Sequence, residues 1–535
     1  VLKDLRDLPQ DATIEADLCI IGAGAAGITL ARRLRGQGHR VLLLESGGFE
    51  YSAQAQDLYK GRLTGLPYIP LDTARLRYFG GATMHWEGMC VPLMPLDFDR
   101  RSAVPDSGWP ISYDDVARYY GEAQEVCQLG PLRYDLSDWL DPEARLPDLS
   151  RVQSRVFQFG PPTRFGAVYR QELVNAEDVT ILLHANVTEI MVDDGGEVVS
   201  GLRLATLDGT TATARAGRYV LACGGIENPR LLLSSDQVHT AGIGNSHDTV
   251  GRYFMEHFET WPVNIAMTTP KEKVQPYFGF NVEGLYLKPC MVLEPKVQEE
   301  LGVANGGATL DSVAYHEDVT GFVALRRLLN GVRKGDLDEA LETLPLILAD
   351  LDDVAEGTWR KLNGQRYRPL AGDGHAVSVK IYGEQVPNPD SRVMLGDDRD
   401  VLGMRRPVLD WRLTDLDRHT AVTSARVIGE GLAGEGAGRA RMAEWVEDEG
   451  WPDSLEGGMH HIGTTRMSAN PRHGVVDGDC RVHGMRNLYI AGSSVFPTCG
   501  YANPTLTIVA MALRLADHLS MRMAAVMPDV QGGKE

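Results

Sequence analysis

Near the end of this 535-residue chain two histidines stand side by side in the run His460-His461-Ile462-Gly463-Thr464-Thr465-Arg466-Met467. Further on, Asn503-Pro504-Thr505-Leu506-Thr507-Ile508 puts a polar side chain where an apolar helix begins. A neutral imidazole takes up a proton near neutral pH because its ordinary pKa lies there. A second polar group can hold an oxygen as that oxygen gains negative charge. Together they suit a reaction that removes a hydroxyl proton, such as oxidation of an alcohol to a carbonyl with hydride leaving the same carbon. Pro504 fits the first helical position, and the positive end of that helix would favour a nearby anion. Adjacent histidines without cysteine or carboxylate at ligand spacing do not make a zinc site, so no metal is expected.

Such chemistry needs a hydride acceptor and elements to hold it. Ala16-Asp17-Leu18-Cys19-Ile20-Ile21 reads as a buried parallel strand, followed at once by Gly22-Ala23-Gly24-Ala25-Ala26-Gly27 and a helical Ala/Leu/Arg pattern through Leu34. A second strand, Val41-Leu42-Leu43-Leu44, ends on Glu45 and Ser46. The set forms a complete dinucleotide-binding βαβ unit. Its glycines admit a pyrophosphate to a helix N-terminus, and Glu45, about 20 residues on, is placed to accept from a ribose diol. The plainer alternative, a Gly-rich turn serving only packing, leaves the strand, helix and acid unexplained. An acid at that strand end disfavours NADP but does not separate FAD from NAD.

Composition narrows the class. Hydrophobic residues make up 43% and charged residues 24%, an ordinary globular balance. With 53 basic and 73 acidic residues the net charge is -20, which argues against coating nucleic acid or anionic membrane. Seven scattered cysteines, without a CxxC pair, form neither a disulfide framework nor a haem or zinc motif, and a reducing cytoplasm is expected. No signal peptide and no apolar run of about 18 residues is seen, so a membrane span is not expected.

A second glycine feature lies in Arg75-Leu76-Arg77-Tyr78-Phe79-Gly80-Gly81-Ala82-Thr83-Met84-His85-Trp86-Glu87-Gly88. Paired glycines bring backbone N–H groups close to phosphate or a ring system. A third follows the strand Arg218-Tyr219-Val220-Leu221, as Ala222-Cys223-Gly224-Gly225 before an apolar helix. A fourth closes the strand Asn487-Leu488-Tyr489-Ile490-Ala491-Gly492, ahead of Ser493.

With these motifs in place, the sequence resembles the glucose-methanol-choline (GMC) oxidoreductases, most closely the branch of pyranose oxidase and bacterial glucoside 3-dehydrogenases. The resemblance runs from Asp17 to Asp517 and is weakest over 294–370. It implies FAD as cofactor, a Rossmann-like FAD-binding domain and a substrate domain on a mostly antiparallel sheet. The fold class is α/β (α+β overall), of GMC/p-hydroxybenzoate-hydroxylase-like architecture. It implies cofactor contacts at Gly22, Gly24, Ala25, Ala26, Gly27, Glu45, Ser46, Gly80, Gly81, Ala82, Met84, His85, Trp86, Val187, Cys223, Gly224, Gly492, Ser493, Asn503, Pro504 and Thr505. The Gly-Gly-x-x-x-His-Trp order is similar to pyranose oxidase, whose histidine there is joined to the flavin. His85 is therefore a candidate flavinylation residue, the alternative being a histidine packed on a non-covalent FAD. The His-x-x-Gly-Thr pattern selects His460 as the catalytic histidine and Asn503 as its partner. Ala82, Met84 and Glu87 depart from the more familiar Thr, Asn and Gly beside the flavin.

The expected organisation is a discontinuous FAD-binding domain over 1–90, 150–250 and 455–535, a connecting or lid segment over 91–149, and a substrate domain over 251–454. A leucine-rich helical insertion is expected over 294–370, and one helix over 114–129. The implied activity is oxidation of a secondary alcohol of a sugar or glycoside, at pyranose C2 or C3, with hydride passing to flavin N5. Alternatives keep the chemistry on an aliphatic, sterol-like or natural-product alcohol, or make the chain a non-redox FAD-containing lyase, an NAD-dependent dehydrogenase or a scaffold. Electrons would leave to oxygen, a quinone or a redox protein; a homo-oligomer or accessory subunit stays open.

Overall fold

The run at residues 12–21 alternates between exposed and half-buried positions and then turns wholly buried, and it forms the strand Ala12–Ile21. The computed structural model describes residues 1–141, 146–267, 274–312, 376–448 and 450–524, with isolated residues between 322 and 359. Gly22, at φ +102°, turns the chain out of that strand, and the helix Ala25–Leu34 follows. A Cβ on Gly27 would overlap the carbonyl oxygen of Gly22, so only glycine lets the helix pack this close to the turn. Val41–Leu44, buried at every position, pairs in parallel with Ala12–Ile21 and with Val179–Leu183.

Among the described residues this sheet has eight strands, in the order Leu2–Asp4, Val179–Leu183, Val41–Leu44, Ala12–Ile21, Thr211–Leu221, Val199–Ala205, Asn186–Val192. Leu488–Ile490 also pairs in parallel with Thr211–Leu221 and brings the C-terminal segment back beside the first glycine turn. Helix Thr505–Ala524 packs against Ala25–Leu34. Both helices bury an aliphatic face, and each fully buried Leu, Ile or Val contributes roughly 1.5–3 kcal/mol.

The second sheet is antiparallel. Its order is Gly438–Met442, His257–Met267, Ala376–Glu384, Gly306–Ser312, Leu285–Leu293, Val152–Phe159, Met89–Cys90, with Phe280–Val282 and Glu456–Gly457 as side branches. A small third sheet joins Arg392–Arg399, Arg405–Trp411 and Arg62–Gly65. The stretches 1–90 and 150–250 thus hold strands of more than one sheet, since Met89–Cys90 and Val152–Phe159 belong to the antiparallel one.

Two local expectations change. Residues 114–129 form two short helices, Tyr113–Ala117 and Tyr120–Val126, because the chain leaves helical bonding at Arg118 and Tyr119. The stretch from 294 is not wholly an insertion: Pro295–Leu301 is a helix packed at the sheet, and Gly306–Ser312 is an inner strand between Leu285–Leu293 and Ala376–Glu384. Most of 313–375, with the leucine-rich stretches, lies outside the described residues. The segment 91–149 is tied to both the antiparallel sheet and the C-terminal helix. Arg101 forms a bidentate ion pair with Glu384 of the antiparallel sheet (2.6 Å for each bond), and Tyr119 donates to Asp517 of the C-terminal helix at 3.0 Å. No helix among the described residues is long and apolar enough to cross a membrane.

Candidate active site

One elongated cavity of about 620 Å³ runs from the first glycine turn to the face of the antiparallel sheet. Gly22, Ala23, Gly24, Ala25 and Ala26 line its nucleotide end, with Glu45, Ser46, Val187, Cys223 and Gly224. Gly24 caps the helix Ala25–Leu34 without a side-chain bond, which leaves the first backbone N–H groups for an anion. The Glu45 carboxylate accepts from the N–H of Ala23 (3.2 Å) and of Gly47 (2.8 Å), clamping the turn while keeping an edge on the cavity. Cys223 also lines the wall; burial pushes its thiol up to about 12, so it stays protonated.

The cavity fits an extended dinucleotide. A Cβ built on Gly24, Gly224 or Gly492 would meet no protein atom, so three backbone turns open onto the same free space. Arg75 and Arg77 stand on the wall, and Arg77 Nε is buried without a partner in the structure. Glu227 holds these cations, with Arg75 at 2.8 Å and Arg77 at 3.6 Å. FAD would lie here, its phosphates at the glycine turn. Gly81, Ala82, His85 and Trp86 line the middle of the cavity, and Ser493, Asn503, Pro504 and Thr505 line the far wall. Gly27, Gly80 and Met84 are the three proposed contacts that do not reach it. Gly27 serves helix packing, and Gly80 and Met84 face each other.

His460 and Asn503 meet at the substrate end. Asn503 Nδ2 lies 3.3 Å from His460 Nε2. The loop carrying His460 is fastened from two sides. Ile462 exchanges backbone bonds with Met255 (2.9 and 3.1 Å), and Thr465 and Gly463 bond the turn that carries Ser493 and Ser494. Met459, just ahead, has a left-handed φ of 60°, a costly conformation for a side chain. The neighbouring N–H of His460 donates to both oxygens of Glu256, at 2.7 and 2.9 Å, which holds that turn.

Three groups absent from the sequence expectations complete the site. His257 Nδ1 is 2.9 Å from His460 Nδ1. Glu256, fully buried, also accepts the His257 N–H at 2.8 Å and a short bond from the Tyr68 hydroxyl. Burial pushes the Glu256 carboxyl up to about 7. Burial and the neighbouring imidazoles hold His460 well below the usual histidine range, and burial lowers His257 to about 4. His461 turns away from the reacting pair and packs on Tyr68 and Phe254; burial lowers it to about 3, and its Nε2 has no partner. A Glu-His dipeptide at the start of a strand, in Met255-Glu256-His257-Phe258, was the signal available for the first two.

The antiparallel sheet supplies the remaining wall through Glu259, Lys288, Asp311, Lys380 and Tyr382. Lys288 pairs with Asp311 at 3.2 Å, and Lys380 makes a short ion pair with Glu259. The Lys380 ammonium also lies over the rings of Tyr382 (4.6 Å) and Trp261 (5.1 Å).

A family model described as FAD dependent oxidoreductase matches residues 17–264, and one described as GMC oxidoreductase matches 387–512. The chain is 22% identical to the fructose dehydrogenase large subunit of Gluconobacter japonicus, over 95% of this chain and 98% of that protein. It is 24% identical to 2-methyl-1,2-propanediol dehydrogenase of Mycolicibacterium austroafricanum, over 96% of each. Among solved structures, pyridoxine 4-oxidase from Mesorbium loti superposes with a TM-score of 0.52 at 18% identity, over 94% of this chain and 98% of that one.

Proposed function

We propose, from the premise that this chain belongs to the GMC oxidoreductases and is an FAD-dependent alcohol oxidoreductase, that it oxidises a secondary hydroxyl of a pyranose or glycoside to the ketone. The observation that carries the sugar reading is the charged wall facing His460. Glu259, Lys288, Asp311, Lys380 and Tyr382, paired among themselves, still present a polar surface that suits several sugar hydroxyls better than an aliphatic chain. The sugar named for the fructose dehydrogenase relative agrees with it.

In this reading His460 Nε2 takes the hydroxyl proton, and the Asn503 amide donates to the oxygen as charge develops on it. Bound FAD supplies the hydride acceptor. The depressed pKa keeps His460 neutral, and so able to accept a proton, across the physiological range. The N-terminus of Thr505–Ala524 beside Asn503 adds partial positive charge at the reacting end of the cavity. The C2 or C3 position of a pyranose is the site we favour.

The test is anaerobic bleaching of the purified yellow protein by glucose, fructose, methyl β-glucoside and 2-methyl-1,2-propanediol. Bleaching by a sugar and not by the diol supports the reading. Bleaching by the diol alone moves the substrate to simple alcohols, and no bleaching by any alcohol favours a non-redox role. Acid precipitation of the same sample separates a flavin held at His85 from a released one.

A further inference from the structure

We infer that His257 is a positioning residue that fixes the tautomer of His460, leaving the His460 Nε2 bare and turned to Asn503 and the cavity. The inference deepens the proposed function, because it rests on His460 being the base.

His257 Nε2 faces two backbone carbonyls, of Gly500 at 3.0 Å and Cys499 at 3.3 Å. Carbonyls only accept, so His257 must carry its proton on Nε2. A neutral imidazole has one proton, so Nδ1 of His257 is an acceptor. The atom opposite it at 2.9 Å, His460 Nδ1, must then be the donor. That leaves His460 Nε2 without a proton, at 3.3 Å from the Asn503 amide, which can donate to it. The low pKa of His257 agrees with its neutrality. A backbone fixture thus sets the protonation of a side chain facing the cavity, as second groups commonly do for a working histidine.

The same bonds say where the proton goes. When the substrate O–H breaks and the His460 Nε2–H forms, the imidazolium keeps its Nδ1–H bonded to His257. Glu256 lies 4.0 Å from His460 Nδ1, and its ionised form would favour that charge. The chain ends at the Gly500 and Cys499 carbonyls, which cannot take a proton on. The proton therefore stays on the histidine pair until it returns through the cavity.

Glu256, His257 and His460 also present three donor atoms within 4.8 Å of one another, an arrangement that could hold a cation. Glu256 is already spent on the N–H groups of His257 and His460 and on Tyr68, which favours the hydrogen-bonded reading.

The experiment compares wild-type holoenzyme with His257→Leu, His257→Asn and His460→Ala, using methyl β-glucoside as the probe. Leu fills similar space without an acceptor, whereas Asn can place a carbonyl oxygen near the position of Nδ1. We expect His257→Leu to retain FAD and to bind the glucoside as before. Its limiting rate of flavin reduction should fall roughly 10- to 100-fold, less than on loss of the base itself. His257→Asn should recover most of that rate. An independent readout is the 15N spectrum of protein labelled at the histidine ring nitrogens, with His460 assigned by its loss in His460→Ala. Wild-type His460 should be protonated at Nδ1 and bare at Nε2, and this state should become mixed in His257→Leu. If His257→Leu does not fold, the wild-type spectrum alone decides. A His460 protonated at Nε2, a wild-type reduction rate in His257→Leu, or a stoichiometric divalent metal lost with His257 would each overturn the inference. Reduction unimpaired in His460→Ala would instead remove the role of base and leave the tautomer result standing.

Discussion

Gly225 and His461 are packed backbone against backbone. A Cβ on Gly225 would overlap the His461 carbonyl oxygen and stand 2.7 Å from its carbonyl carbon. Thr464 reinforces the contact by donating its hydroxyl to the Gly225 carbonyl at 2.6 Å. The glycine pair that opens helix Gly224–Ser234 therefore sets where the histidine loop can sit, and it couples the nucleotide end of the cavity to the reacting end.

Gly225→Ala should accordingly damage catalysis without touching any reacting group. The loop must retreat from the new Cβ, and misplacement by about 1 Å can cost on the order of 100-fold. The expected result is a protein that still binds FAD but reduces it slowly with any alcohol. Stopped-flow reduction alongside the visible spectrum checks it. A wild-type rate would show that the loop absorbs the clash.

Replacing His460 with Ala should lower the rate of flavin reduction by about 10²- to 10⁴-fold, the usual worth of a general base. Its pKa is depressed, so in the wild type the neutral form persists as pH falls through the ordinary histidine range. The reduction rate should thus stay flat from pH 8 to below 6.5 and fall only in more acid solution. A limb centred at or above 6.5 that persists in Glu256→Gln, which removes the one neighbour raised to about 7, would contradict the burial argument.

Glu45 clamps the N–H groups of Ala23 and Gly47, which places the turn that would carry the pyrophosphate. Charge-assisted bonds of this kind contribute roughly 1.5–3 kcal/mol each. Glu45→Ala should weaken FAD binding by roughly 10- to 100-fold. Dialysis and fluorescence of the released flavin measure it, and undiminished retention would leave Glu45 a purely structural acid.

The parts of this site that were legible in the sequence are those whose geometry is local. The first glycine turn with Glu45, and Asn503 with Pro504, lie on contiguous segments whose residue types dictate their backbone. His257, Glu256 and Tyr68 were not legible, because His257 and Glu256 come from the start of a distant strand and Tyr68 from the loop after Arg62–Gly65. The strand alternates poorly at this end, with His257 and Phe258 both buried, so its pattern does not show what His257 meets. Val152–Phe159 illustrates the same limit, since its pattern fits either sheet and only pairing with Leu285–Leu293 decides. Gly306–Ser312 was hidden for another reason: a glycine-rich strand carries little alternation to read.

The charged wall gives a test of substrate class. Lys380 is held by Glu259 and stacked over Tyr382, a geometry that fixes its ammonium at the cavity surface. Lys380→Met keeps the stem and removes the charge, leaving Glu259 unpaired in the wall. For a sugar this should raise KM by roughly 10-fold or more with a smaller change in kcat, because the lost contacts lie away from the reacting carbon. A simple diol should show little change. Steady-state kinetics on both substrates separates the outcomes, and equal losses on the two would place Lys380 in folding rather than recognition.

His461 offers the clearest stability experiment. It is buried, its Nε2 has no partner, and burial lowers its pKa to about 3. The unfolded chain binds a proton on this group at its ordinary pKa near 6.5, while the folded chain does not until about 3. Between those values the unfolded state binds more protons, so stability is fully present above pH 6.5 and is lost as pH falls toward 3. His257 adds a loss of the same sign between 6.5 and about 4. His461→Phe removes one of these titrations and keeps an aromatic ring against Tyr68 and Phe254. Its Tm should therefore fall less steeply than that of the wild type between pH 6.5 and 4.5, with the two close together at pH 8. Parallel Tm curves across that range would show that His461 finds a proton acceptor in the folded protein.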